Sequence, residues 1–374
     1  MANDYRTNGL FNVKLEMDAT GANPSPFTAT QDFTADGTHK YSTQIWNIAV
    51  HEVTWTVNPT FIENSDELRG YQSSPWHDGA GSMAATLTAK ARVRPDMLGL
   101  LCYMVTGGTP TATTGTVLGH SGSATGTGAY ETKYAWSAAD IPRTATIQFA
   151  PTKGDGFKLS GCGLTTLAFS FEQSGALIAD MTFNGLYFKK TTMPADQIDL
   201  LLAPYETDVP LKKSNFTFTG DGVFSASDSK ATDVNWTIEN QIANFFSFGA
   251  NSIWPDAVEY DGLWSVVSGS VTKRQVKATD YEKWVGKGAD THFAECIGGV
   301  GDFLSGTAGP KFEFYVHLPA AQFMNMNPEA ITNKRRIGVT FDWEARTDSN
   351  GTGNWCDIYV KNANNPTVYT TPSA

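Results

Sequence analysis

Cysteine is scarce in this sequence of 374 residues, and its four cysteines are widely spaced. Cys102, Cys162, Cys296 and Cys356 form no C-x-x-C pair, so we expect neither a disulfide framework nor a zinc site built on such pairs. We interpret all four as reduced, mostly buried thiols, the usual state of free cysteine.

Basic residues and long apolar runs are also in short supply. Lys and Arg number 27 against 38 Asp and Glu, which gives a formal net charge of −11. This balance disfavours tight binding to DNA, RNA or anionic lipid, because that attraction depends on Lys and Arg. It is compatible with a protein past which DNA slides without sticking. No apolar run approaches the roughly 20 residues of a membrane helix, and Met1–Arg6 lacks a signal-peptide core, so we expect no membrane anchor and assembly in a cytoplasm.

Several segments match catalytic motifs only in part. Gly119–Ser123 resembles a nucleophile elbow, yet Ser stands where the last Gly belongs. His51-Glu52 begins a zincin motif, yet Trp55 replaces its second His. No pair of carboxylates is singled out for glycoside hydrolysis. We therefore expect no enzyme activity, no metal site and no cofactor. The alternative function is a carbohydrate-binding β-sandwich protein of a tail tip or adhesion module.

The sequence is rich in apolar and polar residues that alternate with period two, a pattern typical of half-buried antiparallel strands. Residues 85–94 alternate in this way, and so do 167–171 and 177–188, which flank a predicted turn at Gln173–Gly175. Helices are brief by comparison. Pro95 and Gly107 bracket one short apolar segment, and Thr279-x-x-Glu282 indicates a second. The predicted fold class is mainly β.

A loose internal repeat runs through these elements, and several matches occur in the same order on the same kind of element. The matches are Trp55-Thr56-Val57 with Trp236-Thr237-Ile238, Thr86–Lys90 with Ser270–Arg274, Asp96 with Asp280, and Thr182-Phe183 with Thr340-Phe341. We predict an N-terminal arm at 1–45, a first domain at 46–205 with a Gly/Thr/Ser-rich insertion at about 106–129, a second domain at 206–362, and a flexible tail at 363–374.

Three strings of the first copy carry a resemblance to a known family. They are Gly81–Arg94 before Pro95–Leu101, Asp140-Ile141-Pro142 before Ala145–Phe149, and Gly161-Cys162-Gly163-Leu164 before Leu167–Phe188. They resemble the major tail tube proteins of long-tailed (siphovirus-type) bacteriophages over about 54–188, and more loosely over 219–355. The resemblance implies two tandem tail-tube-like β-sandwich or barrel domains, each with one short flanking helix and a long hairpin.

The resemblance also implies a structural function. Six tail tube domains form a ring whose hairpins join into an inner barrel, so three copies of a duplicated chain would suffice. The rings stack into a tube that conducts DNA during infection. The implied partners are further copies of the chain, other tail proteins such as the tape measure, terminator and distal tail proteins, and DNA in passage. The implied location is the tail of a virion that is assembled in the cytoplasm of the host bacterium.

Two sets of residues are candidates for specific roles in such a tube. Glu172, Asp180 and Asp342 lie on predicted hairpin strands and are expected to face the lumen, where an acidic surface repels DNA. Lys334, Arg335 and Arg336 form the one tight basic cluster, for which we expect a salt bridge to a neighbouring subunit. Three charges give little affinity for nucleic acid at cellular salt. The arm and the insertion are expected to contact the next ring.

Overall fold

The structure of the chain is a computed structural model. It describes residues 10–18, 20, 39–42, 44–63, 77–108, 110–112, 116–117, 120–121, 130–135, 142–152, 155–171, 175–191, 210–221, 223–224, 231–246, 254–260, 266–274, 278–285, 292–303, 311–328, 338–346, 356–362 and 366–372.

Most of the described residues lie in strands, so the predicted mainly β class is confirmed. In chain order the strands are β1 (Leu10–Asp18), β2 (His39–Tyr41), β3 (Trp46–Asn47), β4 (Val50–Glu63), β5 (His77–Arg92), β6 (Thr111–Ala112), β7 (Thr116–Val117), β8 (His120–Ser121), β9 (Tyr130–Ala135), β10 (Thr144–Thr152), β11 (Asp155–Phe171), β12 (Leu177–Gly185), β13 (Tyr187–Thr191), β14 (Phe216–Gly220), β15 (Ala231–Glu239), β16 (Ile242–Phe245), β17 (Ala257–Tyr260), β18 (Val266–Lys273), β19 (Phe293–Phe303), β20 (Lys311–Pro328), β21 (Val339–Ala345) and β22 (Asp357–Asn362).

Helical structure is limited to short segments in the described part of the chain. Helix α1 (Pro95–Thr106) begins at the predicted proline and ends at Gly107, whose φ of 68° is left-handed and suits glycine. Helix α2 (Ala278–Val285) forms where Thr279 and Glu282 predicted it. Two 3-10 turns, Lys213–Asn215 and Pro366–Tyr369, complete the helical elements.

The same antiparallel pairings occur twice along the chain. The first set of strands, β1, β4, β5 and β10 to β13 with α1, is called the first unit; the second set, β14, β15 and β18 to β22 with α2, is called the second unit. The recurring pairs are β1–β10 and β14–β19, β4–β5 and β15–β18, β5–β12 and β18–β21, β11–β12 and β20–β21, β10–β11 and β19–β20, and β11–β13 and β20–β22.

The registers of two equivalent pairs agree with the sequence repeat. Thr88 lies opposite Thr182 between β5 and β12, and Thr272 lies opposite Thr340 between β18 and β21. These are residues that the repeat matches to each other, which supports a duplicated domain. The two units nevertheless share one continuous sheet, because β11 pairs with β15 and β22 pairs with β9. The division into two tandem β-sandwich or barrel domains stays a prediction.

Strand β1 lies inside the segment that the sequence predicts as an N-terminal arm. Phe11, Val13 and Leu15 are at most 1% exposed, and the strand pairs with β10 from Leu10↔Ala150 to Leu15↔Ala145. This part of residues 1–45 therefore belongs to the packed fold. The prediction of an arm was wrong for this strand, because the apolar alternation of Phe11–Met17 marks a strand with a buried face.

The predicted C-terminal tail is also partly packed. Tyr369 is fully buried and stacks on the ring of Trp46 at 5.6 Å between ring centroids. Pro372 forms a bridge with Ser42. Tyr369 also contacts Tyr103 of α1, with ring centroids 5.8 Å apart. This buried aromatic side chain therefore anchors residues 366–372 to the first unit.

Candidate functional site

A run of neighbouring strands crosses both units in the order β4, β5, β12, β11, β15, β18, β21 and β20. We call this run the shared sheet. Leu87, Met181, Trp236 and Phe341 are fully buried on one of its faces. Since side chains alternate between faces along each strand, the residues between them lie together on the opposite face, which we call the polar face.

The polar face carries small hydroxyl side chains in rows across the strands. Thr54, Thr88, Thr182 and Thr166 lie opposite one another on β4, β5, β12 and β11. In the second unit the hydroxyl oxygens of Thr272 and Thr340 lie 2.8 Å apart in a hydrogen bond. This surface offers hydrogen-bonding groups but no large apolar side chain along these rows.

Carboxylates outnumber basic side chains on the described part of the polar face. Its acidic residues are Glu52, Asp180, Asp233, Glu239, Asp342 and Glu344, and its basic residues are Lys90, Arg92, Arg274 and Arg346, the last of which pairs with Glu344 at 3.0 Å. The Lys90 ammonium lies 3.5 Å from Asp180 and 3.5 Å from Glu52. Asp180, followed by Glu52, raises the pKa of Lys90. These three residues line a shallow open depression together with Thr88, Thr166 and Thr182.

Two of the predicted lumen residues lie on the polar face. Asp180 stands beside Lys90, and the carboxylate of Asp342 accepts a hydrogen bond from the Asn327 amide at 3.0 Å. The structure therefore brings these two aspartates onto one surface, although from different units. Glu172 lies outside the described residues, and so does the predicted basic cluster of Lys334, Arg335 and Arg336.

The units join at the internal seam, which is the pairing of β11 with β15 from Thr166↔Glu239 to Phe169↔Trp236. Behind it, Phe169 and Trp236 stack with ring centroids 5.1 Å apart. Asn240 closes one end of the seam. Its amide donates to the carbonyl oxygens of Val105 and Leu164 at 3.1 Å each, and its own N–H donates to Thr165 O at 2.7 Å. The seam is thus apolar on its buried face and hydrogen-bonded to Asn240 at one end.

Each end of the shared sheet presents an open edge. Among the described strands, β4 pairs with β5 alone, and the C-terminal half of β20 pairs with β21 alone. Trp55 on β4 is 38% exposed and Met324 on β20 is 45% exposed, although large apolar side chains elsewhere in these units are mostly buried. An unpaired strand edge with exposed apolar groups favours pairing with another strand.

The sequence repeat matches Trp55 with Trp236, but the structure gives the two side chains different surroundings. Trp236 is fully buried at the internal seam, whereas Trp55 lies half exposed against Phe149 and Phe157, each at 5.2 Å. The open edges were missed because an edge strand and an inner strand share the same alternation. The registers also do not align the two tryptophans, because Trp55 lies opposite Leu87 and Trp236 lies opposite Gly269, while the repeat matches Leu87 with Val271.

The described residues offer little reactive chemistry. They contain no group of three or more His, Cys, Asp or Glu side chains that could hold a metal ion. All four cysteines are buried, as predicted. Burial raises the pKa of Cys102, and burial followed by Glu295 raises the pKa of Cys296 to about 12, so these thiols are poor nucleophiles at neutral pH.

Comparisons with known proteins identify no family for this chain. No protein-family model matches the sequence, and no curated protein matches it. Within the described residues no helix has the length and apolar character to cross a membrane.

Proposed function

We propose that the chain is a structural subunit of a bacteriophage tail tube. In this proposal it is a duplicated tube domain, and three copies close a pseudo-sixfold ring by pairing β20 of one copy with β4 of the next. The observation that carries the proposal is the internal seam. In the repeated pairings β11 corresponds to β20, and β15 corresponds to β4. The β11–β15 contact is therefore a template for the contact between copies.

The exposed apolar side chains support this choice of edges. Trp55 and Met324 are among the few exposed large apolar residues of the described chain, and each lies on one of the two open edges. Ring closure would bury both and give each edge a hydrogen-bonding partner. A contact that closes by rotation yields a ring, and it leaves no edge on which aggregation can proceed.

The polar face is the surface that we assign to the lumen. Its excess of carboxylates repels DNA phosphates, and its threonine rows offer no flat apolar platform on which bases could stack. Asp180 and Asp342 keep their assigned lumen role in the proposal. The arrangement suits a conduit through which DNA moves without binding during ejection.

The remaining features of the proposal follow from the tube. The subunit acts without catalysis and without a cofactor, and its partners are further copies of itself, tail proteins at the ends of the tube such as the tape measure, terminator and distal tail proteins, and DNA in transit. Its place is the tail of a virion assembled in the bacterial cytoplasm.

Assembly of the purified protein tests the proposal directly. Negative-stain electron microscopy is expected to show rings and tubes of uniform width. Trp55→Asp and Met324→Asp place a charge on each open edge and are expected to leave monomers. Phe245→Asp is the matched control, because Phe245 is 43% exposed on β16, away from both edges.

The outcomes separate the proposal from its rival. A native protein that stays monomeric under every condition would contradict the tube, and so would Trp55→Asp tubes of unchanged width. Binding of that monomer to a glycan array would favour the carbohydrate-binding alternative.

The lumen assignment has its own test in phage particles that carry the variant subunit. Asp180→Lys and Asp342→Lys are expected to slow DNA ejection, because a basic lumen attracts phosphates. Thr367→Lys, on the exposed surface of the C-terminal turn, is the control. Unchanged ejection by both aspartate variants, in tails of normal length, would remove the polar face from the lumen.

A further inference from the structure

The two helices occupy equivalent places in their units but differ in what covers them. Helix α1 is buried from Met97, at 4% exposed, to Val105, at 0%. It packs on β22 of the second unit and on β9. The Asn362 amide of β22 donates to the carbonyl oxygen of Pro95 at 3.3 Å. Helix α1 therefore belongs to the contact between the units as well as to its own unit.

Helix α2 has one covered side and one open side. It packs on β20 and is fixed there by a buried ion pair, in which Lys273 Nζ lies 2.8 Å from Asp280 Oδ1. On its other side Tyr281 is 50% exposed and Val285 is 41% exposed. The ring of Tyr281 lies 5.7 Å from that of Trp284. Tyr281 and Val285 form an exposed apolar surface, whereas Trp284 is half buried and packs against the core.

The strand of the first unit that corresponds to β22 is β13, and β13 is exposed where β22 is buried. Strand β13 pairs with the N-terminal half of β11, as β22 pairs with the N-terminal half of β20. Ile358 and Val360 of β22 are each 1% exposed, whereas every described residue of β13 is partly or fully exposed.

A patch of partly buried aromatic side chains lies on β13 and the adjoining half of β11, and it also packs against the core. Phe188 stacks on Phe157 with ring centroids 5.3 Å apart, and Phe157 also contacts Trp55 at 5.2 Å. The patch thus extends from β13 to the open edge of β4, so a partner that pairs with β4 meets it as well.

We infer that α2 of one copy packs on the aromatic patch of β13 in a second copy, as α1 packs on β22 within the chain. The inference rests on the proposed function, because the second copy is the one that pairs its β4 with β20. The internal contact supplies the geometry, and the two open surfaces supply apolar groups of the kind that α1 and β22 bury. Glu282 on α2 and Lys190 on β13, both exposed, carry opposite charges beside this contact and favour one orientation.

Cross-linking between two variants tests the contact. Glu282→Cys and Lys190→Cys are purified separately and mixed under the conditions in which the native protein assembles. A short bis-maleimide is then added. Because all native cysteines are buried, only the introduced thiols are expected to react. A covalent dimer on a denaturing gel, with rings in the micrograph, is the expected result. Glu282→Cys mixed with Thr367→Cys is the control and is expected to give no dimer.

Each of the other outcomes would contradict the inference, and the micrograph and the gel together tell them apart. Rings or tubes without the Glu282–Lys190 dimer would leave the proposed function standing and overturn the docking of α2 on β13. Equal dimer yield from the Thr367 control would overturn it also, because the reaction would then report random encounters. A protein that neither assembles nor cross-links would overturn both the docking and the tube.

Discussion

The first and second units differ most where each of them ends. Strand β15 lies between β18 and β11, and its Trp236 is fully buried, whereas β4 pairs with β5 alone among the described strands and leaves Trp55 38% exposed. Helix α1 is buried against the second unit, whereas α2 exposes Tyr281 and Val285. The surfaces left open at the two ends are the surfaces that the units bury between them. In the proposed ring, another copy of the chain would cover these surfaces.

The largest expected effect is a loss of stability when the buried tryptophan, rather than the exposed one, is replaced by alanine. Trp236→Ala removes a fully buried ring that stacks on Phe169 and contacts Phe314, and we expect it to lower the free energy of unfolding by about 3–5 kcal/mol. Trp55→Ala is the matched control. Since its ring is already partly solvated, we expect a loss of about 1 kcal/mol in the monomer. Urea unfolding followed by fluorescence, under non-assembling conditions, measures both.

Equal losses in the two tryptophan variants would contradict the comparison, because they would mean that Trp55 is as well packed as Trp236 in the monomer. A small loss for Trp236→Ala would show that the internal seam contributes little to folding. In that case the seam would be a poor template for a contact between copies.

The second expected effect concerns an ion pair that one unit has and the other lacks. Lys273 is fully buried and pairs with Asp280 in the second unit, while the repeat places Ala89 at the position of Lys273 in the first unit. Lys273→Met strands a buried carboxylate, and we expect a loss of about 3 kcal/mol in the free energy of unfolding.

The double variant of this pair is the control. Lys273→Met with Asp280→Leu removes both charges, and it is expected to regain most of the lost stability, because no carboxylate is then left buried without a cation. Failure of the double variant to recover would mean that the pair fixes the position of α2 by its geometry rather than by charge balance.

The sequence predicted the individual strands and helices better than it predicted which strands lie next to one another. The period-two pattern of Ala85–Arg92, the hairpin before Leu177 and both helices follow from local chemistry, and each is present. The pairing of Phe169 with Trp236 is a contact between residues far apart in the chain, and no local pattern encodes it. Asp180 and Asp342 were recognised as strand residues on a polar face, but the open edges that flank them depend on which strand has no partner.

The third expected effect comes from the C-terminal turn, which covers α1 and has no described counterpart on α2. A Cβ atom on Gly99 would lie 2.2 Å from the hydroxyl oxygen of Tyr369 and 2.9 Å from that of Tyr134. We expect Gly99→Ala to lower the free energy of unfolding by about 2 kcal/mol through overpacking. Tyr369→Phe removes the nearer hydroxyl and is expected to recover part of the loss when it is combined with Gly99→Ala. Thermal unfolding measures the series, and no loss for Gly99→Ala would place the turn away from α1.

The smallest expected effect is a pH dependence that both units share. Glu16 accepts hydrogen bonds from Thr146 Oγ1 at 2.6 Å and from the Gly161 N–H at 2.9 Å, while Glu295 accepts the N–H groups of Val223 and Phe224. Burial nevertheless raises the pKa of both carboxyl groups above the usual glutamate value. As the pH rises from below the unfolded pKa, the unfolded chain releases these protons first. The stability that the protonated groups contribute is therefore greatest in acid and is lost as the pH rises through their folded pKa values.

Glutamine cannot ionise, so the unfolding free energy of the native protein minus that of Glu16→Gln is expected to fall between acid and neutral pH. The same comparison with Glu295→Gln is expected to give the same sign. Taking this difference cancels the titration of every other carboxyl group. A difference that rises with pH in one unit alone would mean that its carboxyl group is held ionised in the fold, and the two units would then differ in their interiors as well as at their ends.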